Sequence, residues 1–267
     1  MMSSNTEDSE ALKPVYDKIS IRDGYLAEIN PAQIHRRRLT RRFLRFLRIN
    51  PRKILDIGCG TGELIGELSH IYPHAQLYGG DLSSISVKLT MARVPLGKYY
   101  CFNAEEIQGE IFDTPMDLIT CCEVLEHCLS PDRVVKNACL WLNTGGVFFL
   151  SVPSGPMTLY DQTIGHQHHY TIQEVRTLLE SVGFMDVHVQ SWGAPFHTLY
   201  RELIRVVSNG FSSKESVDPN RYSSLYRISS RVFNLLFYFN VNYGRQIFGY
   251  GYKNGKSNRK DKLPIVS

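Results

Sequence analysis

The sequence predicts an α/β protein with a doubly wound, mostly parallel sheet. Short apolar runs alternate with amphipathic helical patterns through the middle of the chain, which is typical of parallel strands joined by helical crossovers. The first apolar run ends at Asp56 and Ile57, and glycines follow at positions 58, 60 and 62. A strand, a glycine turn and a helix start in this order favour a nucleotide-type ligand at the end of the strand.

Strands are predicted where short apolar, β-branched runs are bounded by polar residues, glycine or proline. The helices have recognisable ends: Ser83 or Ser84 is predicted to cap one helix, and Thr171 with Glu174 forms a capping box. In chain order, the predicted elements are a helix over 31–49, a strand over 53–57, a helix over 62–72, strands over 76–81, 98–102 and 116–122, a helix over 130–142, and strands over 147–152, 184–191 and 245–252.

The composition suits one large domain, or one domain with an inserted cap, because the chain has 267 residues and is 43% hydrophobic. A net charge of +4 is too small a bias to indicate a nucleic-acid partner. The six cysteines contain no C-x-x-C pair, which disfavours zinc and favours reduced thiols in a cytoplasmic enzyme. No apolar run suggests a signal segment or a membrane span, so a soluble protein is expected.

The glycine turn has a physical role in ligand binding. Without a Cβ, glycine lets the backbone approach a ligand closely, and the N–H groups of the following helix start favour a carboxylate or phosphate. Asp81 ends the second strand, where a carboxylate can accept both hydroxyls of a ribose. A plain helix cap is the alternative role for Asp81. The third glycine comes one residue earlier than in the dinucleotide pattern G-x-G-x-x-G.

Residues 53–63, together with the run D-L-I-T-C-C-E-V-L-E-H at 117–127, resemble motifs of the class I S-adenosylmethionine (SAM) dependent methyltransferases. Over about residues 50–190 the chain is most similar to the polyprenyl quinone O-methyltransferases and methyltransferase domain 23-type proteins. The resemblance implies a seven-stranded Rossmann-like sheet whose last strand is antiparallel, SAM as cofactor, and methyl transfer as the reaction. The SAM contacts expected on this basis are Asp56, Gly58, Cys59, Gly60, Gly62, Asp81, Leu82, Asn103, Ala104 and Cys122.

Two carboxylates and a histidine follow the fourth strand: Glu123, Glu126 and His127. Their spacing suits one face of a helical turn, at the sheet edge where open α/β sheets bind ligands. In the quinone enzymes and the small-RNA 2′-O-methyltransferases, a similar Glu-x-x-Glu-His binds a divalent metal. The resemblance therefore implies Mg²⁺ held by Glu123, Glu126 and His127, together with His168 or His169.

Two other roles for this segment remain open at the sequence level. One of His127, His168 and His169 could act as a catalytic base that takes the proton of an acceptor hydroxyl. Alternatively, Glu126 and His127 could only hydrogen-bond neighbouring loops.

The last third of the chain is unlike the core, being helical, aromatic and partly basic. It is interpreted as a substrate-selecting cap, or as a cap that only packs on its own aromatic side chains. The arginine-rich helix over 31–49 either packs on the sheet by its apolar stripe with its arginines in water, or contacts a phosphorylated substrate or, together with the cap, the periphery of an anionic membrane surface. The predicted division is a tail and lead-in over 1–30, a SAM-binding core over 31–193, a helical cap over 194–243, a last strand over 244–253 at the sheet edge, and a disordered basic tail over 254–267.

The predicted function is methyl transfer from SAM to a hydroxyl, or an amine, of a small-molecule, sugar or lipid-linked acceptor. Two alternatives are an RNA 2′-O-methyltransferase that uses the Glu-x-x-Glu-His segment, and a non-catalytic SAM-binding scaffold. The RNA alternative requires a basic groove, and the sequence contains no evident RNA-binding module.

Overall fold

The computed structural model describes residues 30–106, 111–112, 114–210 and 223–254, together with Asp17. The rest of the predicted N-terminal lead-in, the polar segment at 211–222 and the basic tail after residue 254 lie outside the described residues. In chain order the elements are α1 (Pro31–Leu47), β1 (Lys53–Ile57), α2 (Glu63–Ile71), β2 (Gln76–Asp81), α3 (Ser84–Arg93), β3 (Lys98–Cys101), β4 (Met116–Cys122), a 3₁₀ turn (Leu125–His127), α4 (Pro131–Trp141), β5 (Leu142–Pro153), α5 (Leu159–Thr163), α6 (Ile172–Ser181), β6 (Phe184–Ala194), α7 (Phe196–Gly210), α8 (Ser223–Leu236), a second 3₁₀ turn (Phe237–Phe239) and β7 (Val241–Lys253).

The strands form a seven-stranded sheet in the order β3-β2-β1-β4-β5-β7-β6. Strands β1 to β5 pair in parallel, whereas β7 runs antiparallel to both β5 and β6. The predicted doubly wound, mostly parallel sheet is therefore confirmed. The chain winds outward from β1 to β3 and then returns to β4 on the other side of β1, so the switch point lies between the carboxyl ends of β1 and β4. Sheets of this type bind ligands at that crevice.

The position of the last strand was predicted wrongly. Strand β7 lies between β5 and β6, and β6 forms the edge. Ile247, Phe248 and Tyr250 are all buried, so both faces of β7 are covered. A strand that is buried on both faces is typical of the interior of a sheet and not of its edge. Gly251 helps it to fit, because a Cβ there would come within 2.9 Å of the Phe184 side chain.

Helices cover both faces of the sheet and complete two hydrophobic clusters. On one face, α1 buries the apolar stripe that the sequence predicted, and the Phe43 ring lies 5.2 Å from that of Phe248 on β7. On the other face, α4 packs against β5 and α6 packs against β6 and β7, and Val134 and Val175 are among the buried residues. The predicted caps are also present, with Ser83 capping α3 and the Thr171–Glu174 capping box opening α6.

Candidate active site

The glycine turn between β1 and α2 is built from backbone that only glycine adopts readily. Gly58, Gly60 and Gly62 have φ of 69°, 54° and 88°. The Gly58 N–H donates to the carbonyl of Gly80 at 2.7 Å, which turns the chain towards β2. A Cβ on Gly58 would meet Val124 at 2.2 Å, whereas a Cβ on Gly60 would meet nothing within 4 Å. Gly60 therefore faces open space at the switch point, as a closely approaching ligand requires.

Asp81 lies directly beside this turn. Its carboxylate accepts hydrogen bonds from the backbone N–H of Gly60 at 2.9 Å and of Ser83 at 2.8 Å. Burial raises the pKa of Asp81. The N-cap of α3 is Ser83, whose hydroxyl accepts from the Ser86 N–H, so capping that helix is not the task of Asp81. A carboxylate fixed at the end of β2 and beside the glycine turn fits the role of accepting ligand hydroxyls.

The remaining expected contacts at this turn act mainly through the backbone. The Cys59 N–H donates to the Gly80 carbonyl at 3.1 Å, and the cysteine side chain is buried against β2. Gly62 lies close to α3, because a Cβ there would come within 3.1 Å of Thr90. The Leu82 carbonyl accepts a hydrogen bond from the Cys101 thiol.

Asp56 joins the two strands that flank the switch point. It is buried on β1, and the Thr120 hydroxyl on β4 donates to its carboxylate at 2.6 Å. Burial raises the pKa of Asp56 to about 7. Asp56 thus holds β1 and β4 in register at the crevice.

A side chain of α4 fixes the backbone of the loop that follows β3. The Asn103 side chain is engaged within its own turn, accepting from the Glu105 N–H at 3.0 Å and donating to Glu106 at 3.4 Å. The buried amide of Asn137 donates to the carbonyls of Ala104 at 2.9 Å and Glu106 at 2.8 Å. Asn137 therefore fixes the backbone of this loop, and sequence reasoning missed it. The available signal was a lone amide among the apolar positions of a helix.

Cys122 ends β4, and burial raises the pKa of its thiol. The next residue, Glu123, has a φ of 60°, which is uncommon for a residue with a side chain. Its carboxylate accepts from the Ser151 hydroxyl at 2.9 Å and the Gln246 amide at 2.8 Å, and it pairs with Arg36 at 3.1 Å. Glu123 thus ties the end of β4 to β5, β7 and α1.

Glu126 is in a different situation. It is completely buried, and in the described part of the chain neither carboxylate oxygen has a hydrogen-bond partner. Burial raises its pKa well above the ordinary value, and the charge of Glu123 adds to the effect. An unpartnered buried carboxyl group is costly. Such a group is expected where a proton, a cation or a substrate completes the site.

Three histidines and an aspartate lie next to Glu126. The rings of His127 and His166 meet edge-on with their centroids 4.7 Å apart. His166 Nδ1 lies 2.9 Å from His169 Nε2, and Asp161 lies 3.8 Å from the same His169 atom. In the described residues, two overlapping groups bring their ligand atoms within 4.8 Å of one another: Glu126, His127 and His166, and Asp161, His166 and His169.

The hydrogen bonds assign the protons of this cluster. A carbonyl only accepts, so His169 Nδ1 donates to the Gly155 carbonyl at 3.0 Å. In the neutral ring His169 Nε2 then accepts from His166 Nδ1, which leaves the lone pair of His166 on Nε2. Burial lowers the pKa of His166 to about 3, with His127 adding to the effect, so this ring is neutral at ordinary pH.

The structure groups these side chains differently from the predicted metal set, which stays a prediction. Glu123 is held by other side chains and belongs to neither group found in the described residues. His168 is half-exposed and bonds Glu174 at the start of α6 at 3.1 Å. His166, which the sequence prediction left out, takes the place beside Glu126 and His127.

The second group is less suited to a cation. The guanidinium of Arg201 lies 3.0 Å from the Asp161 carboxylate and neutralises it, and Thr158 donates to the same carboxylate through its N–H and its hydroxyl. His169 is also engaged at both ring nitrogens. This group orients His166 through the hydrogen bond between His166 Nδ1 and His169 Nε2.

Comparison with known proteins gives the family. A family model described as a methyltransferase domain matches residues 32–189, which is more than half of the chain. The chain belongs to the class I SAM-dependent methyltransferases. The family assignment confirms both the predicted reaction class and SAM as the cofactor, and the clear space at Gly60 beside Asp81 fits the binding of that cofactor.

Among curated relatives, this methyltransferase is 33% identical over 132 residues to the ubiquinone biosynthesis O-methyltransferase of Chromobacterium violaceum, covering 47% of this chain and 52% of that protein. It is 31% identical over 194 residues to the malonyl-[acyl-carrier protein] O-methyltransferase of Legionella pneumophila, covering 68% of this chain and 67% of the relative. The chain thus spans about half the length of the first of these relatives and two thirds of the second.

Solved structures support the fold. Phosphoethanolamine N-methyltransferase 2 of Haemonchus contortus, in complex with SAM, superposes with a TM-score of 0.53 at 20% identity, over 76% of this chain and 49% of that chain. A SAM-dependent methyltransferase of Archaeoglobus fulgidus gives 0.52 at 19% identity, over 81% and 94%. At these identities the similarity concerns the fold alone.

Proposed function

We propose that this methyltransferase acts on a hydroxyl group of a small-molecule, sugar or lipid-linked acceptor, and that a divalent cation assists. The observation that carries the proposal is the buried, unpartnered carboxyl group of Glu126 beside His127 and His166. The two curated relatives named above are both O-methyltransferases, which supports oxygen as the acceptor atom. All six cysteines are free thiols, which suits the reducing cytoplasm that is part of this proposal.

The cluster around His166 fits a cation better than it fits a base at His166 itself. Two neutral imidazoles are ligands that suit a divalent transition metal, and the carboxyl group of Glu126, once ionised, also suits Mn²⁺ or Mg²⁺. By contrast, burial lowers the pKa of His166 to about 3, so His166 itself is a weak proton acceptor near neutral pH. When bound, the cation would lower the pKa of the acceptor hydroxyl and orient its oxygen.

The chain's own residues then have distinct tasks. Gly60 leaves the crevice clear, and Asp81 offers its carboxylate to ligand hydroxyls. When bound, SAM would supply its sulfonium methyl group to the acceptor oxygen, with the carbon–sulfur bond breaking as the oxygen–carbon bond forms and the hydroxyl proton passing to water. Glu126 and His166 hold the acceptor side, and His169 accepts the Nδ1–H of His166 and so keeps the His166 lone pair on Nε2. Catalysis is chiefly positioning together with removal of that proton.

The test is transfer of labelled methyl from SAM into an extract separated into lipid, small-molecule, RNA and protein fractions. We expect label in the lipid or small-molecule fraction, its loss on exhaustive chelation, and its return with added Mg²⁺ or Mn²⁺. Label in RNA would overturn the proposal in favour of the 2′-O-methyltransferase alternative. Methyl transfer that survives chelation would show that the reaction does not use a cation. Tight S-adenosylhomocysteine binding without any transfer would favour the scaffold alternative.

A further inference from the structure

Helices α7 and α8 each turn a row of apolar side chains outward. In both helices these residues follow the spacing i, i+4 and i+7, which places them on one stripe. Their exposed fractions lie between 46% and 64%. The two rows are Leu199, Leu203 and Val206 on α7, and Ile228, Val232 and Leu235 on α8. We call these six residues the outer face.

Among the described residues, α7 and α8 pack through sides other than the outer face. The opposite sides of the same helices supply that contact, because the ring of Tyr200 on α7 lies 5.0 Å from that of Phe233 on α8 and 5.7 Å from that of Phe237. The two helices are therefore held together and onto the sheet by their inner aromatic residues. Single exposed apolar residues are ordinary, but an exposed apolar row on each of two packed helices indicates a surface that contacts something else.

Aromatic residues extend the outer face at the end of α8. Tyr238, Phe239 and Tyr243 are 52%, 66% and 74% exposed. Tyrosine has an apolar ring and a polar hydroxyl, and it is enriched where a hydrocarbon layer meets water.

Positive charge borders the same surface. The guanidinium of Arg38 on α1 lies 4.5 Å above the Tyr238 ring, so this side of α1 adjoins the exposed aromatic residues. Arg42 and Arg45 follow Arg38 by four and seven residues, on the same side of α1, and both are exposed. The sequence of α8 contains arginine and no acidic residue.

The single acidic residue in α7 does not oppose this charge. Glu202 forms ion pairs with Arg205 and Arg245. The border of the outer face is therefore cationic, which complements an anionic partner.

We propose that the outer face docks on an anionic lipid bilayer, with the apolar rows entering the boundary between headgroups and acyl chains. Apolar rows with a tyrosine border and flanking arginines are the combination that such a surface attracts. None of the described helices has the length and apolar character to cross a membrane, so the contact is with one leaflet. Arg201, on the inner side of α7, pairs with Asp161 behind the histidine cluster, so the docked helix also contacts the acceptor side of the site.

This proposal goes beyond methyl transfer, and its test does not depend on activity. The full chain is sedimented with vesicles of phosphatidylcholine alone and of phosphatidylcholine mixed with phosphatidylglycerol. We expect binding to the mixed vesicles that weakens with added salt. The Leu203→Asp/Leu235→Asp variant is expected to lower the partition coefficient by at least about tenfold, because two apolar side chains are removed from the bilayer boundary.

The charge contribution is measured with Arg42→Glu/Arg45→Glu, which is expected to lower the partition coefficient by about tenfold or more. The matched apolar control is Leu96→Asp/Leu140→Asp, since both leucines are highly exposed but lie outside α7 and α8. The control should bind like wild type. All variants change exposed side chains, and unchanged S-adenosylhomocysteine binding confirms that they are folded.

Three results would overturn the proposal. Wild type could fail to bind the mixed vesicles. The Leu203→Asp/Leu235→Asp variant could bind as well as wild type or no worse than its control. Finally, wild type could be a dimer in sedimentation equilibrium that the same variant dissociates, which would show that a second copy covers the outer face.

Discussion

The two sides of the switch point satisfy their polar groups in different ways. On the cofactor side, the Asp81 carboxylate is bonded to the backbone of its own neighbourhood through Gly60 and Ser83. On the acceptor side, Glu126 is buried with no hydrogen-bond partner for its carboxylate among the described residues. The carboxylate on the cofactor side is thus satisfied by the protein itself, whereas we propose that a cation completes the acceptor side. Variants should therefore separate cofactor binding from turnover.

The largest effect is expected for Glu126→Gln. The amide has nearly the same shape as the neutral carboxyl group but cannot provide a carboxylate to a cation, so turnover should fall by about a hundredfold or more. S-adenosylhomocysteine affinity, measured by calorimetry, should stay within about twofold of wild type because the cofactor side is unchanged. An equal loss of affinity and turnover would show that Glu126 also contributes to cofactor binding.

The converse variant is Gly60→Val. It forces a β-branched residue to a φ of 54° and places a side chain in the open space of the crevice. S-adenosylhomocysteine affinity should fall by about tenfold or more, because the new side chain occupies space that the ligand needs. The backbone strain, about 1–2 kcal/mol, lowers the stability of the free and the bound protein alike. The control is Gly145→Val, which has a φ of 80° and equally open surroundings outside the site. If both variants bind S-adenosylhomocysteine equally well, Gly60 does not border the cofactor.

A smaller effect on the cofactor side is expected for Asn137→Ala. This change leaves the carbonyls of Ala104 and Glu106 without their donor, which should destabilise the fold by about 1–3 kcal/mol and weaken S-adenosylhomocysteine binding several-fold. Asn143→Ala is the control, because it removes a 2.7 Å hydrogen bond to Asp117 away from this loop. Equal cofactor affinities in the two variants would argue against a role for the loop in binding. Denaturant unfolding gives the stabilities.

The pH dependence of stability tests the packing at the switch point itself. The pKa of Asp56 is raised from 3.8 to about 7, so between these values the folded state binds a proton that the unfolded state lacks. This group therefore makes the free energy of unfolding decrease as pH rises through that window, by at most about 4 kcal/mol. Asp56→Asn should flatten the curve relative to wild type in urea unfolding. An unchanged slope would show that Asp56 titrates normally.

The smallest effect is expected for His168→Ala. His168 is half-exposed and bonds only the capping glutamate of α6 in the described structure, so the cost should be below about 1 kcal/mol, with turnover unchanged. A large loss of turnover would restore the sequence prediction that placed His168 in the catalytic machinery.

The same contrast explains what the sequence could and could not predict. The glycine turn and Asp81 are encoded locally, by residue types that one turn and one strand end require. The acceptor side depends on a loop that is distant in sequence and folds back onto the segment after β4. The Gln167 N–H donates to the backbone carbonyl of Glu126 at 2.6 Å, and the Tyr170 hydroxyl donates to the backbone carbonyl of Leu125 at 3.0 Å. These contacts turn His166 and His169 inward and leave His168 outside.

The placement of β7 failed for a related reason. Its apolar, glycine-rich pattern indicates a strand buried on both faces, but which strands flank it depends on pairing across the whole sheet. The family resemblance predicted that β7 is antiparallel, but the sequence did not show which strands lie on either side of it.

The most direct test of the proposed acceptor side is to measure Mn²⁺ binding by the full chain with electron paramagnetic resonance or calorimetry. Wild type and His168→Ala should bind Mn²⁺ alike, and His166→Ala should lose that binding, because only His166 lies with Glu126 and His127 in the first group of the described residues. Unchanged S-adenosylhomocysteine affinity would show that each variant is folded. Absence of Mn²⁺ binding in wild type, or equal binding by His166→Ala, would contradict the proposed cation site.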